Sequence, residues 1–136
     1  MNIIVCLDDD NGMLFNHRRQ SKDIEVRKRI IQITSGKKLW MNHYSAKQYE
    51  GEYEQINIDD SFMLEATDGD FCFAEDIDAA QYEKWIEKIF VFRWNRKYPA
   101  DLYFNISLKN GAWKLASTED FIGNSHDKIT MEVYTK

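Results

Sequence analysis

Three short stretches hold the side chains that could do chemistry. The run "NHRRQSKD", Asn16 to Asp23, sets His17, Arg18 and Arg19 ahead of a helix start with Asp23 just inside it. A helix N-terminus presents free N–H groups and a positive dipole end, and arginine adds a bidentate fork, so the combination suits a phosphate or carboxylate. Asp23 and Glu25 would repel the same anion, and a capped, solvated helix entrance explains the run equally well. In "FRWNR", Arg93 and Asn95 share one face of an apolar strand, with Phe92 and Trp94 on the other. An arginine there needs a carboxylate or a ligand. Glu132 and Asp23 are the internal candidates. In "NSHDK", His126 lies between Ser125 and Lys128. A backbone-bonded turn histidine is the plain reading, and a neutral-pH proton shuttle is the sharp one. If the C-terminal hairpin folds over a pocket, His126 and His17 become an acid and a base. Arginine and lysine would then stabilise charge in a metal-free phosphodiester cleavage.

No CxxC motif or Cys/His cluster points to zinc. The acidic turn "DDDNG" lacks the spacing of a calcium loop and reads as turn chemistry. Cys6 and Cys72 each sit in an apolar run and read as buried free thiols. Trp40, Tyr44, Trp94 and Tyr103 read as core or pocket wall. The net charge of -5 argues against wrapping duplex DNA, which needs surplus Lys and Arg. The charge is uneven, however. Residues 17 to 29 are basic, from His17 through Arg27, Lys28 and Arg29, and residues 50 to 78 are acidic. No stretch reads as a signal peptide or a membrane span, so the expected location is cytoplasmic, with no membrane partner.

The elements must position these groups. At 136 residues, 43% apolar and with one proline, the chain is long enough for one packed domain and too apolar for disorder. "NIIVCL" reads as a buried strand. Ser21 is placed to cap a helix whose buried stripe is Val26, Ile30 and Ile33, ending near Gly36. "KLWMN" reads as a strand and "YSAKQYE" as a short helix with Ser45 near its cap. "FCFAE" is a strand. "DIDAAQYEKWIEKI" carries an Asp78/Gln81 capping box and a stripe of Tyr82, Trp85, Ile86 and Ile89, predicting a helix. "FVFRWN" is a strand, and the last two segments form an antiparallel pair. The expected fold class is a single α/β domain over residues 1–136, a mixed, mostly parallel sheet with a C-terminal antiparallel hairpin.

In this order the segments resemble dihydrofolate reductase. "IIVCLDDDNGMLF" is similar to that family's first strand and loop. "SKDIEVRKRI" resembles the helix bearing its acid, with Asp23 and Glu25 both near that position. "GKKLWMNHYSAKQY" resembles its G-K-x-x-I-M-G-R-x-T-x-E segment, and "IFVFRWNRKYPADLYF" its sixth strand and D-x-x-F. "FRWNRKYPAD" and "SHDKIT" also resemble a group of small bacterial proteins, some labelled ribonuclease Z, but the H-x-H-x-D-H motif implied by that label is absent. The departures bear on function. Ala74-Glu75 stands where the reductase has Gly-Gly, and Asn42-His43-Tyr44-Ser45 replaces G-R-x-T. The segment between Tyr49 and Phe71 is too short for a full adenosine-binding subdomain. These losses imply no NADPH and no other cofactor.

The resulting expectation is a protein that binds a small anionic ligand in a degenerate reductase-like pocket. Its ligand contacts would be Arg18, Arg19, Trp40, Asn42, Arg93, Asn95, Ser125 and Lys128. His126, His17 and Asp23 are the catalytic candidates, and no residue is assigned to a metal. Metal-independent RNA or phosphodiester cleavage by His17 and His126, and a true NADPH-dependent reductase, stand as alternatives. A homodimer is left open.

Overall fold

The centre of the fold is β1 (Asn2–Leu7). The computed structural model describes residues 1–136 except Glu50, Glu52 and Asn110. Ile3, Ile4, Val5 and Leu7 are fully buried, as in a strand covered on both faces. β6 (Phe71–Phe73) and β7 (Lys88–Arg93) flank β1, both parallel to it. β4 (Leu39–Met41) and β5 (Ile56–Ile58) continue the parallel sheet beyond β6. Beyond β7, the hairpin of β9 (Lys114–Phe121) and β10 (Ile129–Thr135) adds two antiparallel strands. The order is β5-β4-β6-β1-β7-β10-β9, the mixed, mostly parallel sheet expected from the sequence.

Alternation along β1 divides the core in two. Ile3, Val5 and Leu7 join a cluster with Phe62, Ile86, Phe104 and Trp113, while Ile4 packs in a second with Val26, Ile30 and Phe92. α1 (Ile24–Ile33) covers that second face through Val26 and Ile30. Ile33 is only half-buried and Ile24 is exposed. The helix closes at Thr34, whose hydroxyl donates to Ile30 O at 2.7 Å, and Gly36 follows with φ +77°.

Several elements differ from expectation. The predicted helix over residues 76–89 is a 3-10 run, Ala79–Trp85, and Ile89 lies inside β7. Asp78 makes no cap bond, because Asn105 and the Gln81 side chain occupy its carboxylate. Trp85 points outward at 54% exposure. α2 spans His43–Ala46 and is capped by Asn42, whose Oδ1 accepts from Ser45 N–H at 2.8 Å. The last residue expected in that helix, Glu50, lies outside the described residues, as does Glu52 of the acidic stretch. A small sheet not anticipated from the sequence, β3-β2-β8, joins β2 (Gly12–Phe15), β3 (Arg18–Arg19) and β8 (Leu102–Tyr103). Its entry is the "DDDNG" turn. There Asp8 Oδ1 accepts from Asp10 N–H and Gly12 N–H at 2.9 and 2.7 Å, and Asn11 takes φ +64°.

The cap of α1 is Asp23 rather than Ser21, and it does more than end a helix. Asp23 Oδ1 accepts from Glu25 N–H and Asn124 N–H at 2.9 and 2.8 Å. Oδ2 accepts from Ser125 N–H and faces His126 Nδ1, each at 2.9 Å. One carboxylate therefore fastens the β9–β10 turn to the start of α1. Burial pushes this carboxyl up. The bonds from Asn124, His126, Ser125 and Glu25 outweigh it and hold the group far below the usual carboxylate range.

A carboxyl held down by folding adds stability that is complete above its unfolded value, near pH 4, and is lost as pH falls below it. Asp23→Ala should cost about 3 kcal/mol at pH 7, from its buried partners left unpaired. Its stability, measured by urea titration, should also fall less than wild type between pH 5 and pH 3. Gly12→Ala should cost about 1–3 kcal/mol by the same titration. A Cβ there would lie 2.6–2.8 Å from Gln20, Ala100 and Asp8.

Candidate functional site

β6 ends in Phe73 and delivers Ala74 and Glu75 to the interior, both buried. The Glu75 carboxylate is fully engaged. Arg19 of β3 donates to it from Nε at 2.8 Å and Nη2 at 3.1 Å. Ser45 Oγ of α2 donates at 2.8 Å and Gln48 Nε2 at 3.3 Å. The Arg19 guanidinium also lies 4.3 Å over the Tyr44 ring, whose hydroxyl accepts from Arg19 N–H at 3.0 Å. Cys6 lies nearby. Unlike Cys72, which is buried as expected, Cys6 is only half-buried; burial, then the Glu75 charge, push its thiol far up against the opposing charge of Arg19.

This arrangement bears directly on the dinucleotide that the family resemblance implies. A pyrophosphate needs close backbone approach and facing donors. Here the turn carries two Cβ atoms and a carboxylate, and Arg19 and Ser45 are already bound to that carboxylate. The cavity left between Arg19, Ser21, Ala74, Glu75 and Trp94 is about 10 Å³, room for one water-sized group. These residues do not fit a dinucleotide phosphate.

A second cavity runs along α1. It is about 300 Å³ and is lined by Ile24, Arg27, Lys28, Ile31, Tyr49 and Tyr53. Tyr49 is fixed by edge contacts to Phe73 and Tyr53, with ring centroids 6.2 and 6.5 Å apart. Among the described residues, three solvent-shielded side-chain polar atoms have no hydrogen-bond partner: Arg27 Nη1, Tyr49 Oη and Gln20 Oε1. Two of them belong to residues lining this groove, and Gln20 lines the small cavity beside Glu75. An unmade bond at a shielded polar atom is costly, more so at a charged one. Burial, with the charge of Glu75 adding to it, pushes the Tyr49 hydroxyl well above its ordinary value, against Arg27 and Arg19. Tyr49 therefore stays a neutral hydroxyl, able to donate and accept. The groove combines apolar walls with the side chains of Arg27 and Tyr49, whose shielded Nη1 and Oη have no hydrogen-bond partner among the described residues.

His126 forms a third centre. Its Nδ1 meets Asp23, and its Nε2 lies 3.0 Å from Ser21 Oγ and 3.2 Å from Tyr98 Oη. The ring stacks on Trp94 at 4.6 Å and 24°. Trp94, Asn95, Arg96, Ser125, His126, Asp127 and Lys128 line an open cleft of about 570 Å³.

The residues singled out from the sequence are distributed over several places. Asn95, Ser125, His126 and Lys128 share the cleft just described. Arg93 lines a different open cleft, of about 810 Å³. It donates to Glu132 Oε1 at 2.9 Å, to Asp8 O at 3.3 Å and to Asn11 Oδ1, and so takes Glu132 rather than Asp23 as its carboxylate. Arg19 is bound to Glu75. Arg18 and His17 are exposed on the β2–β3 hairpin, His17 with φ +62°, and the cleft that His126 lines does not include His17 among its described residues. Trp40 Nε1 donates to Asp70 at 3.0 Å, and Asn42 caps α2 and donates to Asp76 at 2.9 Å. Arg27 and Tyr49 were not singled out. A signal for Arg27 did exist: Ile24, Arg27 and Ile31, at i, i+3 and i+7, place an arginine on an apolar helical stripe.

No family model and no curated protein matches the sequence. Among solved structures, the chain is similar to a dihydrofolate reductase from Enterococcus faecalis, complexed with NADP(H) and RAB-propyl. The TM-score is 0.67 at 9% identity, over 98% of this chain and 94% of that one. The fold is that of dihydrofolate reductase.

Proposed function

We propose that the protein binds a small anionic molecule with an apolar body in the groove along α1, and does so without NADPH. The observation that carries this reading is a pair of shielded atoms, Arg27 Nη1 and Tyr49 Oη, which have no hydrogen-bond partner among the described residues and belong to residues that line one groove. A carboxylate or phosphate on the ligand supplies the acceptor that Arg27 lacks, and Tyr49 can bond to the same group. Ile24, Ile31 and Tyr53 give the rest of the ligand an apolar bed. The anionic ligand expected from the sequence is kept, but its contact moves from Arg18, Arg19 and Arg93 to Arg27. The Arg19–Glu75 pair supports binding without a dinucleotide. Phosphodiester cleavage by His17 and His126 is disfavoured, because His17 sits on the exposed β2–β3 hairpin and no described cavity is lined by both histidines.

A thermal-shift panel of aromatic and aliphatic carboxylates, nucleoside monophosphates, folate and NADPH tests this. At least one carboxylate or phosphate should raise Tm by several degrees, and NADPH should not. Arg27→Gln should weaken that ligand about ten- to a hundredfold, the worth of one hydrogen bond to a charged group. Equal binding by Arg27→Gln, or no response to any anion, contradicts the reading.

A further inference from the structure

We propose that Ser21 is a nucleophile activated by His126 and Asp23, and that the protein transfers short acyl groups from activated esters to water. Three residues from two distant segments meet in one line. Asp23 Oδ2 lies 2.9 Å from His126 Nδ1, and His126 Nε2 lies 3.0 Å from Ser21 Oγ. An ionised carboxylate only accepts, so it fixes the proton on Nδ1 and leaves Nε2 as the lone pair facing the serine hydroxyl. The carboxylate is itself held by the N–H groups of Glu25, Asn124 and Ser125, and the imidazole plane by Trp94. Nucleophile, base and orienting acid in this order are recognised by geometry, independent of fold.

Two facts set Ser21 apart from a structural serine. Asp23 already caps α1, so the Ser21 hydroxyl has no capping duty. Among the described residues, its only hydrogen bond is to His126. Burial also runs the right way, from a fully buried Asp23 side chain through His126 to a half-buried Ser21. Tyr98 Oη, at 3.2 Å, is the second hydroxyl at the same nitrogen. The cavity that Ser21 lines with Arg19, Gln20 and Trp94 holds only one water-sized group, so an ester meets the half-buried Ser21 hydroxyl from its solvent side, where a short acyl group is the least obstructed.

In the reaction, Ser21 Oγ bonds to the ester carbonyl carbon as its proton passes to Nε2. The tetrahedral adduct then breaks its bond to the leaving oxygen, which takes the proton from Nε2. Water then attacks the acyl-serine as Nε2 takes its proton, and the second tetrahedral adduct breaks its bond to Ser21 Oγ, which takes that proton back from Nε2 as the carboxylic acid leaves. No oxidant, metal or further reactant enters.

Folded wild-type protein is incubated with a small fluorophosphonate, and separately with p-nitrophenyl acetate, and is read by intact mass and peptide mapping. The expected result is one adduct, on Ser21, absent from Ser21→Ala and retained in Tyr98→Phe. His126→Gln, shown to be folded by circular dichroism, should label about a hundredfold more slowly, the worth of a general base. The wild-type experiment decides even where that variant does not fold. An unlabelled wild type, an adduct on Tyr98 or a lysine, or undiminished labelling of Ser21→Ala overturns the proposal.

Discussion

The buried ion pair of Arg19 and Glu75 is the constraint on which the interior depends. A carboxylate brought inside at the end of β6 must be met by donors or its burial is prohibitive. Arg19, Ser45 and Gln48 meet it, Arg19 from the β2–β3 hairpin and the other two from α2 and the turn that follows it. To deliver Arg19, the segment after β1 turns back as β2 and β3 and forms its own small sheet with β8. To deliver Ser45, α2 starts on an Asn42 cap directly after β4. The carboxylate therefore organises the hairpin, the short helix and the end of the sheet together. Its consequence for ligands is electrostatic as well as steric. Where a phosphate would need free donors, the donors are already bound to an internal anion.

With that region closed, the uncommitted polar capacity lies beside it, along α1. A shielded guanidinium nitrogen without an acceptor costs stability, and such an atom calls for an explanation, which a bound anion would supply. Other arginines in the fold show the contrast. Arg93 finds Glu132, and Arg29 finds Glu119 at 2.7 Å. The N-terminus and the flank of α1 thus differ in kind. The N-terminus is capped by Asp23 and tied to the β9–β10 turn, and the flank carries Arg27, whose shielded Nη1 has no hydrogen-bond partner among the described residues.

Much of the architecture was legible because local pattern and global fold agree. The continuous apolar run of β1, the alternation of β10 and the Val26–Ile30 stripe each have one sensible reading, and the order of segments carries the reductase resemblance. The helix expected over residues 76–89 failed because Asn105, far along the chain, takes the capping carboxylate of Asp78. β2 and β3 were missed because strands of four and two residues carry no measurable period, and their pairing rests on the Asp8 turn. Site residues were legible by type and not by partner. For Arg93 the sequence left two carboxylates open, Glu132 and Asp23, and the fold selects Glu132, while Arg19 read as free because nothing local announces Glu75 as its partner. His126 and Asp23 were picked out separately. Their contact spans 103 residues and becomes visible only when the β9–β10 turn lies against α1.

Side-chain NMR of the arginine Nε–Hε signals, followed through titration with a carboxylate or phosphate that binds, tests the central claim most directly. The account predicts that the Arg27 signal moves and saturates while Arg19 and Arg93, held by Glu75 and Glu132, stay in place. Movement of Arg19 or Arg93 with Arg27 unchanged would contradict it.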